Sequence, residues 1–385
     1  MTGSTDGRPV LVLNAGSSSL KYQLVLPESG AVRAGGVVER IGESGSDVAD
    51  HAAALSAMTE RLRAEGVDLD DVPLRAVGHR VVHGGPDFSE PVVIDDGVLD
   101  RIRQLSALAP LHNPAAVIGI EAARLHYDVP HVAVFDTAFF SSLPAAASTY
   151  AVPRDLAAKH SIRRYGFHGT SHQFVAQATA DLLGCPLGDL RQVILHLGNG
   201  CSASAVHGGR AVETSMGLTP LQGLVMGTRS GDVDPGLHAY LAREAGMTLD
   251  EIDTLLNKKS GVLGLSGVND FRELVQRVDA GDEDARLAFD VFVHRLKHYV
   301  GAYLAILGGA DVLVFTAGIG QHSASVRAAV AEGLAELGIV VDSALNEERS
   351  NEARVISPDG SHVVVAVVPT NEELAIARQT ADLVG

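Results

Sequence analysis

One structural plan is written twice in this chain. Residues 10–26, VLVLNAGSSSLKYQLVL, read as an apolar strand, a turn of Gly and Ser, and a returning strand in which Leu20, Tyr22, Leu24 and Leu26 alternate with Lys21, Gln23 and Val25. Residues 191–213, RQVILHLGNGCSASAVHGGRAVE, repeat strand, tight Gly-Asn-Gly turn and strand, then add a Gly-Gly turn and a third strand. Residue identity between the two stretches is low, so the shared plan suggests a duplication.

The intervening sequence alternates strands and helices. AVRAGGVVER reads as a third strand, DHAAALSAMTERLRAEG as a helix and LRAVGHRVVHGG as a strand; two helical segments across 97–126, separated by APLHNP, lead into the strand HVAVFD. After SSLPAAASTYAVPRD comes the helix TSHQFVAQATADLLG, then the second hairpin, a long helix over 282–307, the strand DVLVFTAGIG, and the strand HVVVAVV with a helix on either side, the last starting at PTNEE. Strands interleaved with helices, each half opened by a hairpin, predict two α/β domains of mixed sheet. The 385 residues suit two cores of about 150 to 200 residues each. No low-complexity linker divides the halves, which predicts a shared interface and cleft.

Composition narrows the function classes. With 46% hydrophobic and 20% charged residues the chain is globular. A net charge of −17 opposes nucleic acid and anionic membrane surfaces, so a bound anion needs local cations. Cys185 and Cys201 form no metal or CxxC spacing and read as small hydrophobes in a reducing compartment. MTGSTDGRP lacks the basic and apolar regions of a signal peptide, and the longest uncharged stretch, near 299–310, is too short to span a bilayer. A soluble, cytoplasmic protein is expected.

The Gly-Ser turn differs from a Walker A loop, because it feeds a strand and not a helix. On that strand Ser17, Ser19 and Lys21 share one face, which is open to two readings, a phosphate grip or a solvated edge. Arg80, between apolar residues in GHRVVHGG, needs an anion, supplied by a ligand or by a structural salt bridge. MGTRSGDVDPG puts Arg229 in a second Gly-rich loop, and two such arginines suit bidentate recognition of phosphate or carboxylate. His79 and His83 lie about 13 Å apart on a strand and cannot share a metal ion; His168 and His172, at a helix start, could, but no carboxylate or Cys is arranged beside them. Asp136 ends a strand, where α/β proteins place ligand-facing groups or a helix cap. Glu372 in PTNEE complements a helix dipole as readily as it serves a site.

NAGSSSLKY, GHRVVHGG, APLHNP, VFDTAF, RRYGFHGTSH, HLGNG, TSMGLTPLQGLVMGTRSGDVDP, NDFRE, TAGIG and PTNEE together resemble, in order and over nearly the whole chain, the acetate kinases of the actin, Hsp70 and sugar kinase superfamily. The resemblance implies two actin-like, ribonuclease H-like α/β domains with mixed sheets flanking an interdomain cleft: residues 1–146 plus 371–385, and a nucleotide-binding domain over 147–370. It implies transfer of the ATP γ-phosphoryl group to acetate and the reverse, with Mg²⁺, or Mn²⁺ in its place, bridging the phosphates, in a cytoplasmic homodimer that binds neither nucleic acid nor membrane. By resemblance Asn14 and Glu372 belong to the metal environment, and Ser17, Ser19 and Lys21 to the phosphates. His196, Leu197, Gly198, Asn199 and Gly200 would hold nucleotide phosphates, while Asp270, Phe271 and Arg272 with Gly318, Ile319, Gly320, Gln321 and His322 would surround adenosine. Arg80 would meet the acetate carboxylate; Asp136 is the family's active-site acid, better suited here to orienting Arg229 or metal-bound water than to acting as a base. His168 and Arg229 would stabilise the transition state, and Val82, Leu111, Phe167 and Pro220 would line the methyl pocket.

One departure from the family pattern follows TAGIG, where Gln321 and His322 replace the usual Glu and Asn; it bears on nucleotide preference and not on reaction class. Two rivals stand beside this expectation. A propionate or butyrate kinase differs by only about 1 to 3 kcal/mol per methylene in an apolar pocket. A non-catalytic nucleotide-binding module would have no need of Arg80, His168 and Arg229.

Overall fold

A computed structural model describes residues 7–16, 18–42, 46–110 and 112–385; of the candidate site residues, Ser17 and Leu111 lie outside the described set. The chain divides into two compact units, one of residues 1–141, 169–171 and 371–385, the other of residues 142–168 and 172–370.

The first unit is built on β1 (Val10–Ala15), β2 (Ser19–Val25), β3 (Val32–Glu39), β4 (Ala76–Val81), β5 (Val92–Val93) and β6 (His131–Phe135), in the sheet order β3-β2-β1-β4-β6-β5. β1 and β2 form the expected antiparallel hairpin, pairing Asn14 with Lys21 and Leu13 with Tyr22. Leu20, Tyr22 and Leu24 are buried while Ser19, Lys21 and Gln23 are not, as the strand period of two requires. β4 runs parallel to β1 and to β6.

The second unit contains β7 (Arg191–Leu197), β8 (Cys201–His207), β9 (Arg210–Thr214), β10 (Val312–Thr316), β11 (Arg354–Val355) and β12 (Val364–Val367), in the order β11-β12-β10-β7-β8-β9. Read from the hairpin side, β9-β8-β7-β10-β12-β11 matches β3-β2-β1-β4-β6-β5 strand for strand. The directions match as well: β10 is parallel to β7 and β12, and β11 is antiparallel to β12 as β5 is to β6. The plan legible in the two hairpins therefore extends through both sheets.

The helices follow local sequence signals. The 25-residue helix Glu283–Leu307 starts at Asp282, whose side chain accepts the Ala285 N–H, and ends at Gly308 in the left-handed region. The C-terminal helix Glu372–Val384 is capped by Asn371, which accepts from Leu374 N–H. It lies tightly on β4, where a Cβ at Gly78 would come within 2.6 Å of Thr380 Oγ1 and 2.9 Å of Ile376. That close approach holds Glu372 and Glu373 beside the sheet. One expectation changes: in DVLVFTAGIG the strand stops at Thr316, and Ala317–His322 turns into a short helix, with Ala317 at φ +62°. A non-glycine residue in that region stores local strain of the kind concentrated at functional sites.

Candidate active site

In the first unit, the predicted residues gather at the carboxyl ends of parallel strands, as α/β ligand sites do. Arg80 is the penultimate residue of β4, and Asp136 directly follows β6, its N–H bonded to Val81 O. The arginine donates through Nε to Asp136 Oδ1 at 2.9 Å and through Nη2 to Oδ2 at 2.6 Å. Asp136 is 1% exposed, and Glu372 Oε2 lies 3.7 Å from Arg80 Nε. Burial works against the Arg80 charge, but Asp136, Glu372 and Glu373 outweigh it and hold the guanidinium firmly protonated. Burial also raises the Glu372 carboxyl above its usual range; Asp136 and Glu373 push it further up, and Arg80 and Lys21 oppose them.

Of the two roles open to Asp136 at the strand end, the helix cap is excluded, since the short turn at Ala138–Phe140 has no side-chain cap, and its carboxylate is paired with Arg80. Lys21 keeps its exposed position on β2, but its ammonium pairs with Glu373. Sequence reasoning stopped at Glu372 and missed this second carboxylate, although PTNEE contains both. It also missed Asn113, whose amide brackets His83, accepting from its N–H at 3.1 Å and donating to its carbonyl at 3.0 Å, so that the loop after β4 is pinned to the helix Asn113–His126. Val82 lies half-buried in that loop.

In the second unit, β7 and β8 are joined by Gly198, Asn199 and Gly200, closed by a bond from Gly198 N–H to Gly200 O. The loop bearing Arg229 packs directly on this turn. Gly227 N–H bonds Asn199 O at 3.0 Å, and a Cβ at Gly227 would sit 1.9 Å from Asn199 Oδ1, so any larger residue there would displace the Asn199 side chain. Arg229 is largely buried and donates through Nη1 to Pro220 O at 3.3 Å. Among the described residues no carboxylate pairs with it, and burial lowers its pKa, with only the Cys201 thiol opposing. Burial pushes that thiol up to about 12, which keeps Cys201 a protonated hydrophobe.

His168 sits at φ +58° before the helix Gly169–Leu183. Its ring stacks on His196 at 4.3 Å between centroids, and its Nδ1 lies 2.9 Å from Ser202 Oγ. The same hydroxyl is 2.8 Å from His172 Nε2, so the H-x3-H pair converges on a serine, a contact the histidine spacing gave no means to foresee. Phe167 is buried, 1% exposed, and Pro220 is half-buried.

A cavity of about 1190 Å³ in this unit brings together Gly198 and Asn199, Asp270, Phe271 and Arg272, and Gly318, Ile319, Gln321 and His322. His196, Leu197, Gly200 and Gly320 do not line it, although Gly200 belongs to the same turn, Gly320 to the same short helix, and His196 and Leu197 to the strand that enters the turn. Asp270 caps the helix Phe271–Asp279 through the Arg272 N–H and takes two bonds from the Arg272 guanidinium, which hold its carboxyl at about 2. Phe271 tilts against Phe292 with ring centroids 4.6 Å apart. Arg327, 1% exposed, donates to the carbonyls of Gly320 and Gln321 and to Asn346, and so fixes the end of the short helix that carries Gln321 and His322. An arginine flanked by small apolar residues in ASVRAAVA was the signal that sequence reasoning left unused.

Comparison with known proteins adds three findings. The acetokinase family model matches residues 9–378. A curated acetate kinase of Streptomyces avermitilis is 57% identical, covering 98% of this chain and 97% of its own. Among solved structures, an acetate kinase of Porphyromonas gingivalis superposes with a TM-score of 0.92 at 42% identity, covering 98% of this chain and 100% of its own, and a propionate kinase of Francisella tularensis with a TM-score of 0.90 at 40% identity, covering 97% and 98%.

Proposed function

The chain belongs to the acetokinase family, and on that premise we infer that it is an acetate kinase, transferring the ATP γ-phosphoryl group to acetate to give acetyl phosphate and ADP, and catalysing the reverse. The observation that carries the reading is Arg229, a partly buried guanidinium with no carboxylate partner among the described residues, on a loop packed against the glycine turn that lines a nucleotide-sized cavity. A partly buried cation of this kind is completed by an anion.

The chemistry needs charge control more than proton transfer. Acetate is ionised at pH 7, so it is already a nucleophile, and the barrier lies in bringing two anions together in line. Arg229 and His168 are assigned to the transferring phosphoryl group. His196 to Gly200, with Ser17, Ser19 and Lys21, are assigned to the nucleotide phosphates, and Asp270 to Arg272 with Gly318 to His322 to adenosine. Arg80 is assigned to the acetate carboxylate: Asp136 occupies Nε and Nη2, which leaves the Nη1 edge for a second carboxylate. Asp136 thereby acts as a positioning group and not as a base. Val82, Leu111, Phe167 and Pro220 are assigned to the methyl group.

Among the described residues no group of three or more His, Cys, Asp and Glu side chains is gathered closely enough to hold a metal ion by itself, so a divalent metal, read as Mg²⁺ with Mn²⁺ as a substitute, would draw only part of its donors from the carboxylate cluster. Asp136, Glu372 and Glu373 outnumber Arg80 and Lys21, burial disfavours the Glu372 charge, and oxygen is the donor that hard cations take. Glu372 and Asn14 would hold the ion's surroundings, and the ion would supply positive charge against the negative charge of the nucleotide phosphates. The reading extends to a cytoplasmic homodimer. The two free cysteines accord with a reducing compartment, and light scattering tests the dimer.

The deciding assay traps acetyl phosphate as a hydroxamate from acetate, ATP and hydroxylamine. Product is expected; a protein that binds ATP but yields none would be a nucleotide-binding module. Turnover with propionate and butyrate in parallel tests the larger acids, of which acetate is expected to have the highest kcat/KM.

A further inference from the structure

We propose that Ser202, with His172 and Ser204 behind it, is a positioning residue that fixes His168 as the Nε2–H tautomer, so that a neutral imidazole presents a donor to the transferring phosphoryl group. This rests on the role given to His168 above. Four side chains form one line of polar contacts: Ser204 Oγ to His172 Nδ1 at 2.7 Å, His172 Nε2 to Ser202 Oγ at 2.8 Å, and Ser202 Oγ to His168 Nδ1 at 2.9 Å. Ser202, Ser204 and His172 are all 0% exposed.

A serine hydroxyl carries one proton, and a neutral imidazole carries one. The contacts therefore admit two concerted arrangements of single donors. In one, Ser204 donates to His172 Nδ1, His172 Nε2–H donates to Ser202, and Ser202 donates to His168 Nδ1, which leaves the His168 proton on Nε2. In the other every bond is reversed, and His168 Nε2 becomes a lone pair. Burial, reinforced by His196, holds the His172 pKa well below its usual value, so that ring is neutral and carries the single proton the chain requires.

The far end of the chain selects between the two. His168 Nε2 and Arg229 Nη1 come within 3.4 and 3.5 Å of the point where a Cβ on Gly200 would stand, so both converge on one spot over the phosphate turn. An anion there is met by N–H groups in the first arrangement and by a lone pair in the second. His196 and Arg229 are charged or titratable groups facing the His168 ring; a donor that needs no extra proton avoids a second cation beside Arg229. The device is the one by which a carboxylate fixes the histidine of a hydrolase triad, built here from hydroxyls and a buried neutral ring.

Two measurements test it. Nitrogen-15 NMR of histidine-labelled wild-type protein, with His168 identified by its loss in His168→Ala, should show the Nε2–H tautomer; a dominant Nδ1–H form overturns the proposal whether or not any variant folds. Ser202→Ala should lower kcat at least about tenfold while KM for ATP and acetate stays within about twofold. It should also gain a fall in kcat as pH rises through the imidazole range, because only the protonated ring then guarantees a donor on Nε2. Ser202→Thr, which keeps the hydroxyl, should restore both kcat and the wild-type profile. Unchanged kcat and pH profile in Ser202→Ala sink the relay while leaving the acetate kinase reading intact; a wild-type protein that forms no acetyl phosphate sinks that reading, with the tautomer still measurable.

Discussion

Arg80 and Arg229 are both withdrawn from solvent, both near glycine turns, and electrostatically opposite. Arg80 stands among Asp136, Glu372 and Glu373, so its charge is more than matched within its own unit. Among the described residues Arg229 has a carbonyl and a thioether as its hydrogen-bond acceptors. The first is an ion pair closed within its unit; the second is a cation for which no described residue supplies a carboxylate, which on the proposed function leaves it for an anionic substrate. Residue type and surroundings look alike in the sequence, and the difference lies in what the chain brings to each arginine from far away.

The comparison is broken or sharpened most strongly by removing each guanidinium. Arg80→Ala leaves Asp136 and Glu372 buried without their cation, which should cost about 3 kcal/mol of stability together with at least about 10² to 10³ in kcat. Arg229→Ala should lose a similar factor in kcat with Tm unchanged or raised, since it deletes an unmatched buried charge. Thermal unfolding beside acetyl hydroxamate assays reads both. If the two variants lose stability equally, the contrast between them is wrong. Asp136→Asn should come next, with kcat down about 10²-fold, because it keeps the shape beside Arg80 but loses a charge-assisted bidentate grip. A bell-shaped rate profile abolished by this variant alone would instead mark Asp136 as a base.

The contrast also explains what could be read in advance. The hairpins, their inward and outward faces and the clustering at strand ends rest on local periods and turn chemistry, and the residues from Val10 to Val25 express both. The partner of Arg80 is 56 residues away, that of His168 is 34 away, and Arg327 reaches 19 residues to Asn346. Such pairings depend on strand order and register, which no local pattern states. Arg80 was therefore recognisable as needing an anion, but which anion was open. Ser202 looked like one more small residue in a strand until β8 brought it against two histidines.

Lys21 probes the edge of the carboxylate cluster. Its ammonium is 46% exposed and paired with Glu373, an arrangement worth little to stability. Lys21→Ala should leave Tm nearly unchanged and raise the KM for ATP about tenfold, with the KM for acetate within twofold. An equal rise in both would mean that Lys21 supports the cluster around Arg80 and does not meet phosphate.

The smallest effect tests the surplus of negative charge itself. Burial raises the Glu372 pKa, so the folded protein binds this proton more tightly than the unfolded chain, and stability falls as pH rises through and above the ordinary carboxylate range near about 4.3. Well below that range Glu372 is neutral in both states, and Glu372→Gln should have little effect on Tm. At pH 7, without ligands, the variant should be the more stable, because it no longer forces a third charge into the cluster. A divalent cation with ADP should raise the Tm of the wild type more than that of the variant, since binding to the folded state alone stabilises it. A variant less stable than wild type at pH 7 would mean that Arg80 rewards the Glu372 charge more than burial penalises it, and the first cluster would then be a closed ion network with no place left for a metal.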